Sequence, residues 1–418
     1  MLWILRVVLM LFLLQSSSLP FGSDFTAVSL IVKDHLFDYV TWEINALSAK
    51  VGETLWGVHP FLDPAAGSDL VRTYFADIAH ARDLEAQINT VYAQADSDQA
   101  AAITAADLIA ERDALRADLA ARQTLIEAIL EGQVASVLID QGFGTAGQLL
   151  PPIAMRFTQV PNLLIVSPRD QIRFDISINL NPLPVDQMVA LEAQIDHERD
   201  LSSLIVPLGG IALYPAMILE TSSLPFAVET FAHEWLHHYL FAFPLGLSYD
   251  FAGEARIINE TTASVFGETI GPLVLARYYP EFAPQARLPQ PAFTLARWSG
   301  LAFPAVPQAV PFDFGRALNN TRIHVDELLA QGSVEEAEAY MEQRRRLFVA
   351  NGYALRKLNQ AYFAFYGGYQ SDVQGAGGTD PIGPAVRDLL ARSPSIQAWI
   401  VTLRGITTRE ELLAAVGG

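Results

Sequence analysis

Residues 233–238 read His-Glu-Trp-Leu-His-His, and the first five form the pattern His-Glu-x-x-His, which occurs once in the chain. Two imidazoles four positions apart share one face of a helix, so His233 and His237 can address a single ion. Glu234 is turned partly off that line and can reach a water beside the ion, where a carboxylate acts as general base. With 8 His in 418 residues, such a match arises by chance in roughly one chain in a hundred. The pattern predicts a zinc centre, and its chemistry is hydrolysis.

The flanking sequence supplies the helix. Ser222, Ser223 and Pro225 are start signals, and residues 226–241 are apolar nearly all round. Such a helix is buried, so His233, Glu234 and His237 need polar partners, which a metal provides. His238 falls about 140° round the helix from His233 and cannot join the same face.

Catalytic zinc keeps three protein ligands and an open fourth position. The chain has no Cys, which excludes disulfides and thiol catalysis and leaves His and carboxylate as ligands. Glu260 follows His237 by 23 positions, enough for a loop over 244–253 and an antiparallel second helix. Ala263, Ser264, Gly267 and Gly271 stand near it at helical spacing, a ridge small enough for close approach to the first helix. On these residues the chain resembles the gluzincin (thermolysin-like) zinc metallopeptidases, whose third ligand is a Glu in an Asn-Glu segment on the helix after the motif. The resemblance covers His233, Glu234, His237 and Glu260, and implies one zinc per chain and a peptide or protein substrate. The family's frequent acidic residue one turn after that Glu is missing, since position 264 is Ser. Glu254 and Glu268 are the candidates for supporting the imidazoles.

Residues 204–220 are apolar and β-branched, broken by Gly209, Gly210 and Pro215, and read as a strand at a sheet edge. In the peptidases this chain resembles, an edge strand beside the zinc helix binds peptide by strand addition. An edge strand merely packed on the domain is the alternative. Near the C-terminus, residues 356–369 hold Asn359, Tyr362, Tyr366 and Tyr369. Zinc peptidases set a Tyr or His opposite the base to stabilise the oxyanion, and no His follows His324, so these three tyrosines are the candidates. The segment also resembles an Asn-containing stretch of a group of bacterial predicted zinc aminopeptidases, which implies aminopeptidase action. No Gly-x-Met-Glu-Asn segment accompanies it, and core packing is the other role open to the tyrosines. Arg322 and Arg344 to Arg346 either bind a substrate carboxylate or form a solvated helix face. His35, His59, His80, His197 and His324 lack partners at ligand spacing.

The chain is 51% hydrophobic and 17% charged, with net charge −19. It is long enough for one large core or two modest ones. No basic patch or nucleic-acid motif occurs, which argues against nucleic acid as partner. Residues 1–22 combine Arg6, the apolar run 7–14 and Ser16 to Ser18, and read as a signal peptide or membrane anchor. The zinc site is therefore expected outside the cytoplasm, in a secreted chain or one held on a membrane by this segment.

Residues 23–67 read as an N-terminal helical segment, with Phe37, Tyr39, Val40, Trp42 and Leu47 as core. Residues 68–135 read as a coiled-coil-like helical hairpin, on the intervals of Leu70, Tyr74, Ile78 and Leu84 and of Leu108, Leu115, Leu119 and Ile126. Residues 150–280 are the expected zinc peptidase core, 281–312 a Pro-rich loop, and 313–418 a C-terminal helical part completing the active site. The predicted fold is α+β and helix-dominated, with a small mixed sheet beside the active-site helix and a long antiparallel hairpin. A zinc-dependent peptidase is the expectation. The alternative is an extracytoplasmic binding or scaffold protein that uses the hairpin and keeps a structural or inactive zinc site. Glu234 discriminates, because structural zinc has no use for a base.

Overall fold

A computed structural model describes residues 23–94, 98–251, 253–282, 312–368 and 376–417. Residues 1–22, expected to be a signal peptide or membrane anchor, nearly all of the Pro-rich segment, and Tyr369 lie outside them. Among the described residues no helix is long and apolar enough to cross a membrane. The molecule is α+β and dominated by helix, with small sheets.

The chain enters through α1 (Asp24–Ile31) and α2 (Tyr39–Trp56), then runs through α3 (Pro64–Gln94), α4 (Asp98–Thr104) and α5 (Ala106–Leu138). Ser68 meets Gln133, Asp77 meets Arg122 and Glu85 meets Arg116, so α3 and α5 lie antiparallel. Tyr74, Ile78 and Ala81 of one helix and Leu119, Ile126 and Leu130 of the other share a core. Helix α2 corrects an expectation: Val40 is 70% and Leu47 41% exposed, on a face with Ile44, Val51 and Leu55. Its inner face instead buries Ala46 and sends Lys50 to Glu127 and Glu131 of α5. Apolar residues surround this helix, and hydropathy alone does not tell which side the protein takes.

Strands β1 (Gly144–Thr145) and β2 (Gln148–Leu149) form a short hairpin. Then come β3 (Met155–Thr158), β4 (Asn162–Pro168), β5 (Ile176–Leu180), α6 (Val185–Arg199), β6 (Leu201–Pro207), β7 (Gly210–Ile211) and β8 (Ala216–Leu219). One sheet runs β5-β4-β6, antiparallel throughout. Period-two alternation sends Leu163, Ile165, Leu204 and Val206 to one face and Leu164, Val166 and Ile205 to the other. Each face is covered, so β4 is apolar almost without a break. The second sheet runs β3-β8-β7, with β3 parallel to β8. The single edge strand expected over 204–220 is thus three strands in two sheets. Gly209 and Pro215 fall at the breaks, β8 is central in the second sheet with β7 as its edge strand, and β6 is an edge of the first sheet.

Helix α7 (Leu224–Leu240) starts where Ser223 Oγ accepts the Phe226 N–H, with Pro225 in the first turn. Helix α8 (Pro244–Leu247) turns the chain into α9 (Gly253–Tyr278), which packs along α7. The fit depends on glycine: a Cβ at Gly267 would lie 2.8 Å from the Glu229 carbonyl oxygen, and one at Gly271 2.7 Å from Glu229 Cγ. Behind the pair, Trp235 stacks on Phe266 and both meet the Phe143 ring edge-on. The C-terminal helices divide. Helices α10 (Phe314–Ala330), α11 (Val334–Ala350) and α12 (Gln360–Tyr366) join the β4–β6 core. Helices α13 (Ile382–Arg392), α14 (Ile396–Leu403) and α15 (Arg409–Gly417) join the core of α7 and α9.

Candidate metal centre

The four-residue interval on α7 brings His233 Nε2 within 3.1 Å of His237 Nε2. From α9, Glu260 Oε2 stands 3.7 Å from the first nitrogen and 3.6 Å from the second. A tetrahedral ion with ligands at about 2.0 Å separates its donor atoms by about 3.3 Å, so the triangle has the size zinc needs. Glu234 belongs to the same cluster, with one donor atom each from His233, Glu234 and His237 within 4.8 Å of one another. Glu260 is the tighter third member, because its oxygen faces both imidazoles.

The surroundings fix these groups. Asn259 Oδ1 lies 2.8 Å from His237 Nδ1, and the His233 ring is hydrogen-bonded to the Ala263 backbone. Each imidazole is thereby oriented by a polar neighbour on α9, as metal-binding histidines require. Tyr249, on the turn between α8 and α9, donates its hydroxyl proton to Glu260 Oε1, which leaves Oε2 to the imidazoles. Glu234 lies against the edge strand: a Cβ at Gly210 would sit 2.3 Å from Glu234 Oε1. Gly210 is what gives that carboxylate its place.

Burial dominates the electrostatics. It pushes the Glu234 carboxyl up to about 8, with His237 opposing and Glu260 adding to the rise. It also acts against an ionised Glu260, but the charge of His237 and hydrogen bonds from both imidazoles outweigh it and hold that carboxyl well below its usual range. Burial would lower His237, yet the Glu260 charge carries it up to about 9. His233 is lowered, chiefly by burial. The pair of His237 and Glu260 thus holds one positive and one negative charge in a buried place, the arrangement in which a divalent cation can replace a proton.

One side of the cluster opens on a cavity of about 740 Å³. Its lining includes Leu208, Gly210 and Ile211 at the edge strand, Tyr214 and Phe241, and Tyr249 and Arg256 near Glu260. His238 lies on the wall as well, with its Nε2 on the Leu213 carbonyl at 2.6 Å.

Of the residues singled out in the sequence, His233, Glu234, His237 and Glu260 come together. Tyr362 and Tyr366 do not: both are buried in the core of β4 and β6, their rings tilted against each other with centroids 4.4 Å apart, and are not among the residues lining the cavity. No described residue of 313–418 is on that wall. Glu254 accepts from the Arg409 N–H and Glu268 pairs with Arg387, so neither supports an imidazole. Arg345 and Arg346 pair with Glu342, and Arg322 with Asp326, leaving Arg256 as the guanidinium at the cavity. Asn259, Tyr249, Gly210 and Arg256 received no role from the sequence. The Asn-Glu pair at 259–260 was the one available signal.

Comparison with family models, with curated proteins and with solved structures returns no match for this chain.

Proposed function

We propose that this chain is a zinc-dependent peptidase, with His233, His237 and Glu260 as metal ligands and Glu234 as general base. The observation that carries the reading is the triangle of donor atoms, 3.1 to 3.7 Å on a side, at a cavity whose wall includes a carboxylate and an unpaired strand edge. The donor set, two imidazoles and one carboxylate without Cys, is that of hydrolytic zinc. When bound, the ion supplies Lewis acidity toward a carbonyl oxygen and lowers the pKa of water.

The residues do the rest. Gly210 offers backbone groups at the open edge, to which an extended substrate adds as a strand, while the Ile211 carbonyl accepts the Leu213 N–H. A Glu234 oxygen takes a proton from the attacking water as its oxygen bonds to the carbonyl carbon. The same oxygen hands the proton to the amide nitrogen as the carbon–nitrogen bond breaks. Asn259 and the Ala263 carbonyl hold the imidazoles, and Tyr249 holds Glu260 to one oxygen. A leader at 1–22 places this site outside the cytoplasm. The test is to incubate the full-length protein with a mixture of synthetic peptides and follow cleavage by mass spectrometry. Cleavage that a chelator abolishes and added zinc restores is expected. Cleavage indifferent to metal, or none with zinc bound, overturns the reading.

A further inference from the structure

Arg256 stands one turn before Glu260 on α9, and its side chain lines the same cavity. Its guanidinium carbon lies 3.6 Å from the centre of the Phe174 ring and 5.0 Å from that of Tyr249, so aromatic faces support the planar fork. Among the described residues, no carboxylate lies within salt-bridge distance of it. Glu260, its neighbour on the helix, is turned to the two imidazoles. In this chain of net charge −19, Arg72, Arg116, Arg169 and Arg356 sit on carboxylates, while Arg82, Arg344 and Arg404 donate to carbonyl or hydroxyl oxygens. A guanidinium presents paired N–H donors that match the two oxygens of a carboxylate.

We propose that Arg256 anchors a carboxylate of the substrate, and that the site takes peptides carrying one within about two residues of the bond to be cut. This rests on the peptidase reading for the cut itself, not for the binding. The reach follows from the helix. Four residues of α9 advance about 6 Å, and an extended peptide advances about 3.3–3.6 Å per residue. The carboxylate is therefore the C-terminus one or two residues past the bond, or an acidic side chain at the same distance. Leu163, Leu208, Ile211 and Phe241 line the cavity as well, so an apolar side chain is accommodated there.

The experiment uses the full-length protein with zinc and three substrates: N-blocked glycyl-phenylalanine, its C-terminal amide, and the amide of N-blocked glycyl-aspartate. A carboxylate anchor predicts that at least one acid-bearing substrate exceeds the phenylalanine amide by about ten- to a hundredfold in kcat/KM, the worth of a charge-assisted hydrogen bond. Preference for the free terminus or for the aspartyl amide identifies the source. R256Q should raise KM for the favoured substrate by a similar factor and leave the phenylalanine amide unchanged, with R256K recovering only part. Equal loss on all substrates through kcat would put Arg256 at the reacting carbonyl and overturn the anchor, as would no change at all. Calorimetry on the zinc-stripped protein separates the two readings. N-acetylphenylalanine should bind the parent and not R256Q, and its amide should bind neither. Equal binding of acid and amide overturns the anchor even if hydrolysis is intact. Acid-selective binding without any hydrolysis by the zinc form overturns the peptidase reading and leaves the anchor standing.

Discussion

At the scale of single residues, the four groups read from the sequence were legible because their geometry is local or nearly so. A four-residue interval on one helix fixes His233 and His237 whatever the rest of the chain does. Asn259 needs the fold to acquire a role, since only the packing of α9 on α7 brings its side-chain oxygen to 2.8 Å from His237 Nδ1. N259A should therefore weaken zinc binding by about 10- to 100-fold, read by competition with a chromophoric chelator, while N259D, which keeps an acceptor, loses less. Gly210 is the second such residue. Because a Cβ there would lie 2.3 Å from Glu234 Oε1, G210A must displace the base. Its zinc content should match the parent, and its turnover should fall by about a hundredfold, the cost of a misplacement near 1 Å. Unchanged turnover would mean that Glu234 need not lie against the strand.

Among the elements, periodicity indicated the kind of structure better than its neighbours. The alternation over 172–178 and the apolar run 163–166 fall in and around β5 and β4, and Ser223 with Pro225 marks the start of α7. Residues 204–220 misled because a continuous apolar stretch carries no sign of which sheet each piece joins. Helix α2 misled for the related reason that it is apolar on both sides. The small residues of α9 did carry tertiary information, since side-chain size limits how near two helices can come. G267V tests this. A Cβ at that position already lies 2.8 Å from the Glu229 carbonyl oxygen, so the bulkier side chain must push α9 away from α7. Overpacking of this kind costs about 1–3 kcal/mol, measurable by urea unfolding, and zinc affinity should fall with it because Glu260 moves with α9. Retention of full stability and affinity would show that the interface yields elsewhere.

For the molecule as a whole, the C-terminal helices bind into both main cores, a division that no local pattern announces. Tyr362 and Tyr366 fell on the wrong side of it: their spacing suits a site rim as well as a core, and only the placement of α12 against β4 and β6 decides. Part of that join is ionic. Arg356 forks onto Glu192 at 2.6 and 2.7 Å, and the same carboxylate, 2% exposed, accepts the Ile205 N–H. R356M would strand the Glu192 charge. Removing one partner of a buried pair costs about 3–5 kcal/mol, and the lower end is expected because Lys357 Nζ lies 3.5 Å from Glu192. A thermal melt following helix signal should show the loss, and an unchanged melt would mean that water or Lys357 compensates fully.

The most direct measurement compares zinc content and peptide hydrolysis in E234Q and E260A, side by side with the parent. Glu234→Gln keeps the shape of the base and all three ligands, so about one zinc per chain should remain while hydrolysis nearly vanishes for want of a proton acceptor. Glu260→Ala removes the charged ligand and leaves two imidazoles, so zinc and hydrolysis should fall together. The two variants must differ in metal and agree in inactivity. An E234Q protein that cleaves the parent's peptides at the parent's rate, or an E260A protein that keeps its full zinc, would contradict the assignment of base and ligand.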